Sequence, residues 1–131
     1  MKDNNYSKYL LKLAERDLSA LQGMVNDTKL FDDSVFGFHA QQAVEKSLKS
    51  LLNVHDVFFK KTHDLSELFA QIKENEITFP DKFVSLVDLT DYAVEYRYDL
   101  IFEEEPLNRK RYLEVIKELY EYILNKVSKE L

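Results

Sequence analysis

Residues 36–51, Phe36-Gly37-Phe38-His39-Ala40-Gln41-Gln42-Ala43-Val44-Glu45-Lys46-Ser47-Leu48-Lys49-Ser50-Leu51, decide the fold. At about 100° per residue, Phe36, Ala40, Ala43, Val44, Ser47, Leu48 and Leu51 gather on one face of a helix. His39, Gln42, Lys46 and Lys49 fall within about 80° of one another on the adjoining flank. Asp32 and Asp33 are both fair N-caps, and the helix is predicted to run from there to about Asn53. Ala40 and Ala43 are small enough to admit a neighbouring helix. The polar flank reads either as a solvated helix side or as an anion-facing strip.

Working outward, Leu10, Leu13, Ala14, Leu21, Met24 and Val25 line one face of a helix predicted from about Asn5 to Asn26. Asp17 falls inside that stripe. It reads either as a carboxylate at the stripe's edge or as a buried acid paired with a cation from another helix, because an unpaired buried charge is expensive. On the other side, the connection from Val54 to Thr62 carries Val57, Phe58 and Phe59, which must tuck under something. Asp64 and Glu67 have capping-box spacing ahead of Leu65, Leu68, Phe69 and Ile72, which predicts a helix about two turns long. His63, just before that cap, reads most simply as a capping or packing residue.

A further helix is predicted from Thr78-Phe79-Pro80 to about Tyr96, with Pro80 in the first turn and Phe83, Val84, Val87 and Val94 on its buried side. Arg97-Tyr98-Asp99-Leu100 then leads into an irregular segment ending at Pro106. The last helix is predicted from about Leu107 to Lys129, striped by Tyr112, Val115, Ile116, Leu119, Ile123 and Val127. The expected architecture is all-α, an up-and-down four-helix bundle with one additional short helix, as a single domain over residues 1–131.

Composition points the same way. Two glycines and two prolines in 131 residues are too few for the tight turns of a sheet protein or for Gly-rich phosphate loops. With no cysteine, disulfides, thiolate metal sites and cysteine nucleophiles are excluded. A net charge of −6 argues against indiscriminate nucleic-acid binding, although Lys46, Lys49, Lys60 and Lys61 cluster in mid-chain. The polar start and the lack of any apolar run of about 20 residues predict a cytoplasmic protein that does not engage a membrane.

The histidines at 39, 55 and 63 have no metal-ligand spacing, and no serine sits in a nucleophile elbow. Three polar islands remain: the flank of the second helix, His63 with Asp64, and Arg97 to Asp99. In this order they resemble the HEPN family of prokaryotic helical domains. The resemblance rests on Ala14-Glu15-Arg16-Asp17-Leu18, on residues 38–52 with their Gln-Gln-Ala-Val-Glu-Lys run, on Thr62-His63-Asp64-Leu65 with Leu68, and on Glu95-Tyr96-Arg97-Tyr98.

That resemblance implies an up-down bundle, commonly dimeric, and often encoded beside a small nucleotidyltransferase in two-gene modules of toxin–antitoxin type. Many members are metal-independent ribonucleases with an arginine followed, after four to six residues, by a histidine. Another part of the family is proposed to bind nucleotides. Counting from Arg97, the histidine's places are Phe102, Glu103 and Glu104, and no histidine follows His63. Cleavage by a 2′-hydroxyl needs a group that exchanges protons near neutral pH. Glu103 or Glu104 would serve only with a raised pKa, and carboxylates also repel RNA phosphate.

The reading is therefore of a binding module, leaning away from catalysis, that contacts a nucleotide or RNA phosphate. His39, Gln42, Lys46, His63, Arg97 and Tyr98 are the expected phosphate- or nucleotide-binding residues. Asp17, Asp64 and Asp99 are expected in orienting or structural roles, and Arg97 is alternatively a structural ion pair with Asp17 or Asp99. Tyr98 alternatively packs in the core, or is, with Tyr96, a target for nucleotide transfer. No metal or cofactor is expected beyond a nucleotide ligand. The expected partners are a second copy of the chain, a small nucleotidyltransferase, and a nucleotide or RNA. The alternatives are a divergent ribonuclease using Arg97 with Glu103 or Glu104, and a non-catalytic dimeric scaffold.

Overall fold

Asp32 starts the central helix: its Oδ1 accepts the Val35 amide hydrogen at 3.0 Å, and the chain turns helical at the next residue. The computed structural model describes residues 4–95 and 106–129. Its elements are α1 (Asn5–Met24), α2 (Asp33–Val54), α3 (Leu65–Glu74), a 3-10 helix over Asp81–Asp91, α4 (Tyr92–Glu95) and α5 (Arg109–Lys129). No strand occurs among the described residues.

Contacts between helices set their directions. Ser7 and Ser50, both buried, exchange hydroxyl-to-carbonyl hydrogen bonds of 3.2 and 2.8 Å, while Asp17 meets His39, so α1 and α2 are antiparallel. Lys117 reaches Gln22 and Tyr120 reaches Glu15, which makes α5 antiparallel to α1. The segment from Asp81 to Glu95 begins beside α5, where Tyr122 donates to the Thr78 carbonyl, and ends with the Tyr92 ring against Gly37. It therefore runs opposite to α2 and α5. This is an up-and-down four-helix bundle, with α3 as the short extra helix laid on α2.

All seven apolar-face residues expected on α2, from Phe36 to Leu51, are fully buried. Ala40 and Ala43 are among them, and their size lets α1 approach. On α1 the buried stripe includes Leu11 and Leu18, while Leu13 lies half-buried. Asp64 caps α3 by accepting from the Ser66 amide and hydroxyl. The α3 helix is ten residues long, a little more than expected.

The fourth segment departs from the expected α-helix. The buried residues of its 3-10 part are Phe83, Leu86 and Leu89, a spacing of three that Tyr92 continues at the start of α4, and Val84 faces solvent. That is the 3-10 repeat, which stacks every third residue. At about 2.0 Å per residue it carries 11 residues some 22 Å, where an α-helix would cover about 16 Å. A short segment thereby spans the bundle alongside longer helices.

Two helices end in left-handed turns without glycine. After α2, Asp56 has φ of 60°, with Val57 N bonded to Leu52 O and Asp56 N to Asn53 O. After α3, Glu76 has φ of 56°, with Ile77 N bonded to Ile72 O and Glu76 N to Lys73 O. Both are Schellman caps, whose left-handed residue is ordinarily glycine. Arg109, buried at the start of α5, locks the opposite end. It bonds Asp33 and the carbonyls of Met24 and Phe31, and lies over the Phe36 ring.

The glycines are spent elsewhere. A Cβ on Gly37 would overlap the buried Tyr92 ring. Gly37→Ala is expected to destabilise the protein by about 1–3 kcal/mol through overpacking. Glu76→Gly is expected to stabilise it by up to about 1 kcal/mol by relieving the left-handed turn. Urea unfolding of the two variants against the parent checks both signs.

Candidate functional site

Two buried carboxylates organise the polar flank of α2. Asp17 projects from α1, where its Oδ1 accepts from His39 Nδ1 and its Oδ2 from Lys46 Nζ, both at 3.0 Å. His39 and Lys46 are seven residues apart on α2, two turns along the same flank, so one carboxylate spans both. The sharper reading of Asp17, a buried acid paired across helices, is the one observed.

Glu45 forms the second centre. It is 4% exposed and accepts from Gln41 Nε2 and Lys49 Nζ at 3.0 Å and from His63 Nδ1 at 2.9 Å. Burial alone would raise its pKa, but the hydrogen bonds from Gln41, His63 and Lys49, with the Lys49 charge, together hold it below 4.5. The same Gln41 amide donates to the His63 carbonyl at 2.9 Å, which ties the segment before α3 to α2. Gln42 Nε2 donates to Gln41 Oε1 at 2.7 Å and so links the flank's centre to the Glu45 cluster.

The two centres share a pattern: a carboxylate, a lysine ammonium and an imidazole Nδ1. Because an ionised carboxylate only accepts, each imidazole proton sits on Nδ1. That leaves Nε2 as an acceptor, or as a donor to an anion when the ring is protonated. Each ammonium is already opposed by a carboxylate, so the strip is a row of fixed donors rather than a patch of surplus positive charge. The His39 and His63 side chains are 35% and 63% exposed, within reach of a ligand from solvent.

Of the residues singled out in the sequence, His39 and Lys46 thus gather on Asp17, while Gln42 and His63 join the Glu45 cluster, two neighbouring centres along α2. Asp64 sits beside the second as the α3 cap, its amide bonded to Thr62 Oγ1. Arg97, Tyr98, Asp99, Glu103 and Glu104 lie outside the described residues, as does Tyr96. Among the described residues, no group of three or more His, Asp or Glu side chains is arranged to hold a metal. No described helix is long and apolar enough to cross a membrane.

Sequence reading missed Glu45 and Gln41 as site residues. Glu45 precedes Lys49 by four positions, which looks like an ordinary surface pair. The wheel held a contrary signal: Gln41 falls between Leu48 and Leu52, and Glu45 about 20° beyond Leu52. Polar residues at the edge of so broad an apolar face needed partners from outside the helix.

The model of the HEPN domain matches residues 7–129. The chain belongs to the HEPN family. A curated relative from Methanocaldococcus jannaschii, named "Putative toxin MJ1304", is 31% identical over 94 residues, or 70% of this chain. The matched part spans 59% of that protein's length. The crystal structure of TT1696 from Thermus thermophilus superposes with a TM-score of 0.68 at 26% identity, covering 97% of this chain and 99% of that one. ST0689, described as an archaeal HEPN homologue, shares the fold with a TM-score of 0.62 at 21% identity, over 97% of this chain and 99% of its own. The family match includes both carboxylate centres of this HEPN chain.

The depressed Glu45 carboxyl has a definite pH consequence. Its stabilising contribution is present above the unfolded value of 4.5 and is lost as pH falls through the lower folded value. Glu45→Gln is expected to cost about 1–3 kcal/mol at pH 7, because the amide keeps one acceptor oxygen but loses the charge and turns an NH2 toward a donor. The variant is also expected to show a shallower loss of stability on acidification below pH 4.5 than the parent. Chemical denaturation from pH 3 to 7 tests both parts; parallel curves for the two proteins would contradict the second.

Proposed function

We propose that this HEPN chain works as a homodimeric partner of a small nucleotidyltransferase in a module of toxin–antitoxin type, and that its α2 flank contacts the phosphate of a nucleotide or RNA. The relative named "Putative toxin MJ1304" supports the module. The paired centres of Asp17 and Glu45 support the phosphate contact, and they are the observation that carries this reading.

A phosphate has several acceptor oxygens and is best held by donors fixed before it arrives. Lys46 and His39 are fixed by Asp17, while Lys49 and His63 are fixed by Glu45. Gln42 lies between them on the same flank. Arg97 and Tyr98 belong to the proposed site through the family pattern, with Arg97 supplying a bidentate fork and Asp99 orienting it. Because carboxylates compensate the lysines, binding rests on directed hydrogen bonds more than on net charge. Its salt dependence should therefore be shallow for a phosphate ligand.

Thermal unfolding with nucleoside mono-, di- and triphosphates or a short RNA tests the proposal. A ligand in tenfold excess over its Kd is expected to raise Tm by a few degrees. The shift, taken relative to each protein's own baseline, should disappear in Lys46→Ala and in Arg97→Ala. A full shift in both variants, or none in the parent at millimolar ligand, would contradict it.

A further inference from the structure

The connection between α2 and α3 was expected to tuck its apolar side chains away. Phe58 instead stands 95% exposed, and Phe59 lies half-buried at the surface. Phe59 continues into two α1 tyrosines: the Phe59 and Tyr6 ring centroids are 6.2 Å apart at 17°, and those of Tyr6 and Tyr9 are 6.4 Å apart at 20°. Three nearly parallel rings therefore run in succession across the surface. Tyr6 and Tyr9 are about half exposed. Beside them is a groove of about 480 Å³, of ordinary ligand-site size, lined by Tyr6, Val57, Phe58 and Phe59, by Asn53, and by one carboxylate and one ammonium, those of Asp56 and Lys61.

This exposure is built into the fold. Gln71, itself buried, donates to the Phe58 carbonyl at 3.3 Å and accepts from the Lys60 amide at 3.1 Å, pinning the backbone on both sides of Phe59. The Schellman turn at Asp56 sets where the chain leaves α2. Cations flank the rings. Lys49 Nζ lies 5.4 Å from the Phe59 centroid while also bonding Glu45, and Lys60 and Lys61 follow directly in sequence, both exposed. Lys49 therefore joins the ring surface to the donor strip.

We infer that Tyr9, Tyr6, Phe59 and Phe58, with Lys49, Lys60 and Lys61, form a stacking platform for the unpaired bases of a single-stranded RNA. The inference rests on the phosphate-contact reading above and names the class of ligand that would extend from that strip. Parallel rings flanked by ammonium groups suit this ligand because every base offers a π face and every nucleotide a phosphate. A base pair inside a duplex hides its faces, so the platform selects single strands. Charge favours the same occupant: Lys60 and Lys61 outnumber Asp56 on a chain whose overall balance is −6.

Fluorescence anisotropy with a labelled ten-nucleotide single-stranded RNA, the same length of duplex RNA, and a nucleoside monophosphate as competitor tests the platform. Phe58→Leu and Tyr6→Leu keep an apolar side chain but remove the ring; circular dichroism and melting confirm that each variant folds. Tighter binding of the single strand than the duplex is expected, with each substitution weakening it by about fivefold or more. Monophosphate binding at the strip should be unchanged in both variants and lost in Lys46→Ala.

Equal affinity for single strand and duplex, or ring-removed variants that bind like the parent, would overturn the platform. Retained monophosphate binding would then leave the phosphate reading standing. Loss of binding in every arm of the parent would overturn both. Sedimentation supplies the remaining outcome: if Phe58→Leu dissociates an oligomer while RNA affinity stays the same, the rings contact protein and the inference fails.

Discussion

Asp17 and Glu45 place two carboxylates where water scarcely reaches, and ionised groups there must be matched by donors nearby. That requirement shapes the polar side of the molecule. Among the described residues Asp17 is met from α2, by His39 and Lys46, and so it fixes the rotation of α2 against α1. Glu45 draws Lys49 from its own helix and His63 from the connection beyond, and so fixes where α3 begins. Apolar stripes bring the helices together, but they tolerate sliding and substitution. Two buried acids with named partners tolerate neither.

The ends of the bundle are held by other means. Arg109 gathers Asp33 and the carbonyls of the α1–α2 connection at one end. Near the opposite end, Ser7 and Ser50 exchange hydrogen bonds, and Asn53 donates to the Ser7 hydroxyl at 2.7 Å. Between these ties the α1–α2 seam carries the Asp17 centre, and Glu45 sits farther round α2. The donors presented at the surface are thus positioned by groups beneath them, an arrangement suited to a site that must be ready before its ligand arrives.

Much of the fold was legible because it is written in local chemistry. The 3.6-residue apolar repeat located α1, α2, α3 and α5, and Asp32 and Asp64 announced two helix starts. The 3-10 segment was not legible, because Phe83-Val84-Ser85-Leu86-Val87-Asp88-Leu89 offers apolar residues at steps of both three and four. Packing chose the step of three. Within the candidate site, the residue types on α2 could be read from the wheel, but not their partners. Nothing near Asp17 in sequence says that it meets Lys46, 29 positions away. Glu45 was hidden by an adjacent lysine that made it look ordinary. Phe58 shows the opposite failure, an apolar residue assigned to an interior that the folded chain does not give it.

The account turns on both carboxylates being ionised acceptors that hold their histidines by Nδ1. Long-range proton–nitrogen NMR of the imidazole rings, recorded where they are neutral, reads this directly. The account predicts the Nδ1–H tautomer at His39 and His63, with His39 alone reverting in Asp17→Asn and His63 alone in Glu45→Gln. Finding the Nε2–H tautomer at both rings in the parent protein would contradict it.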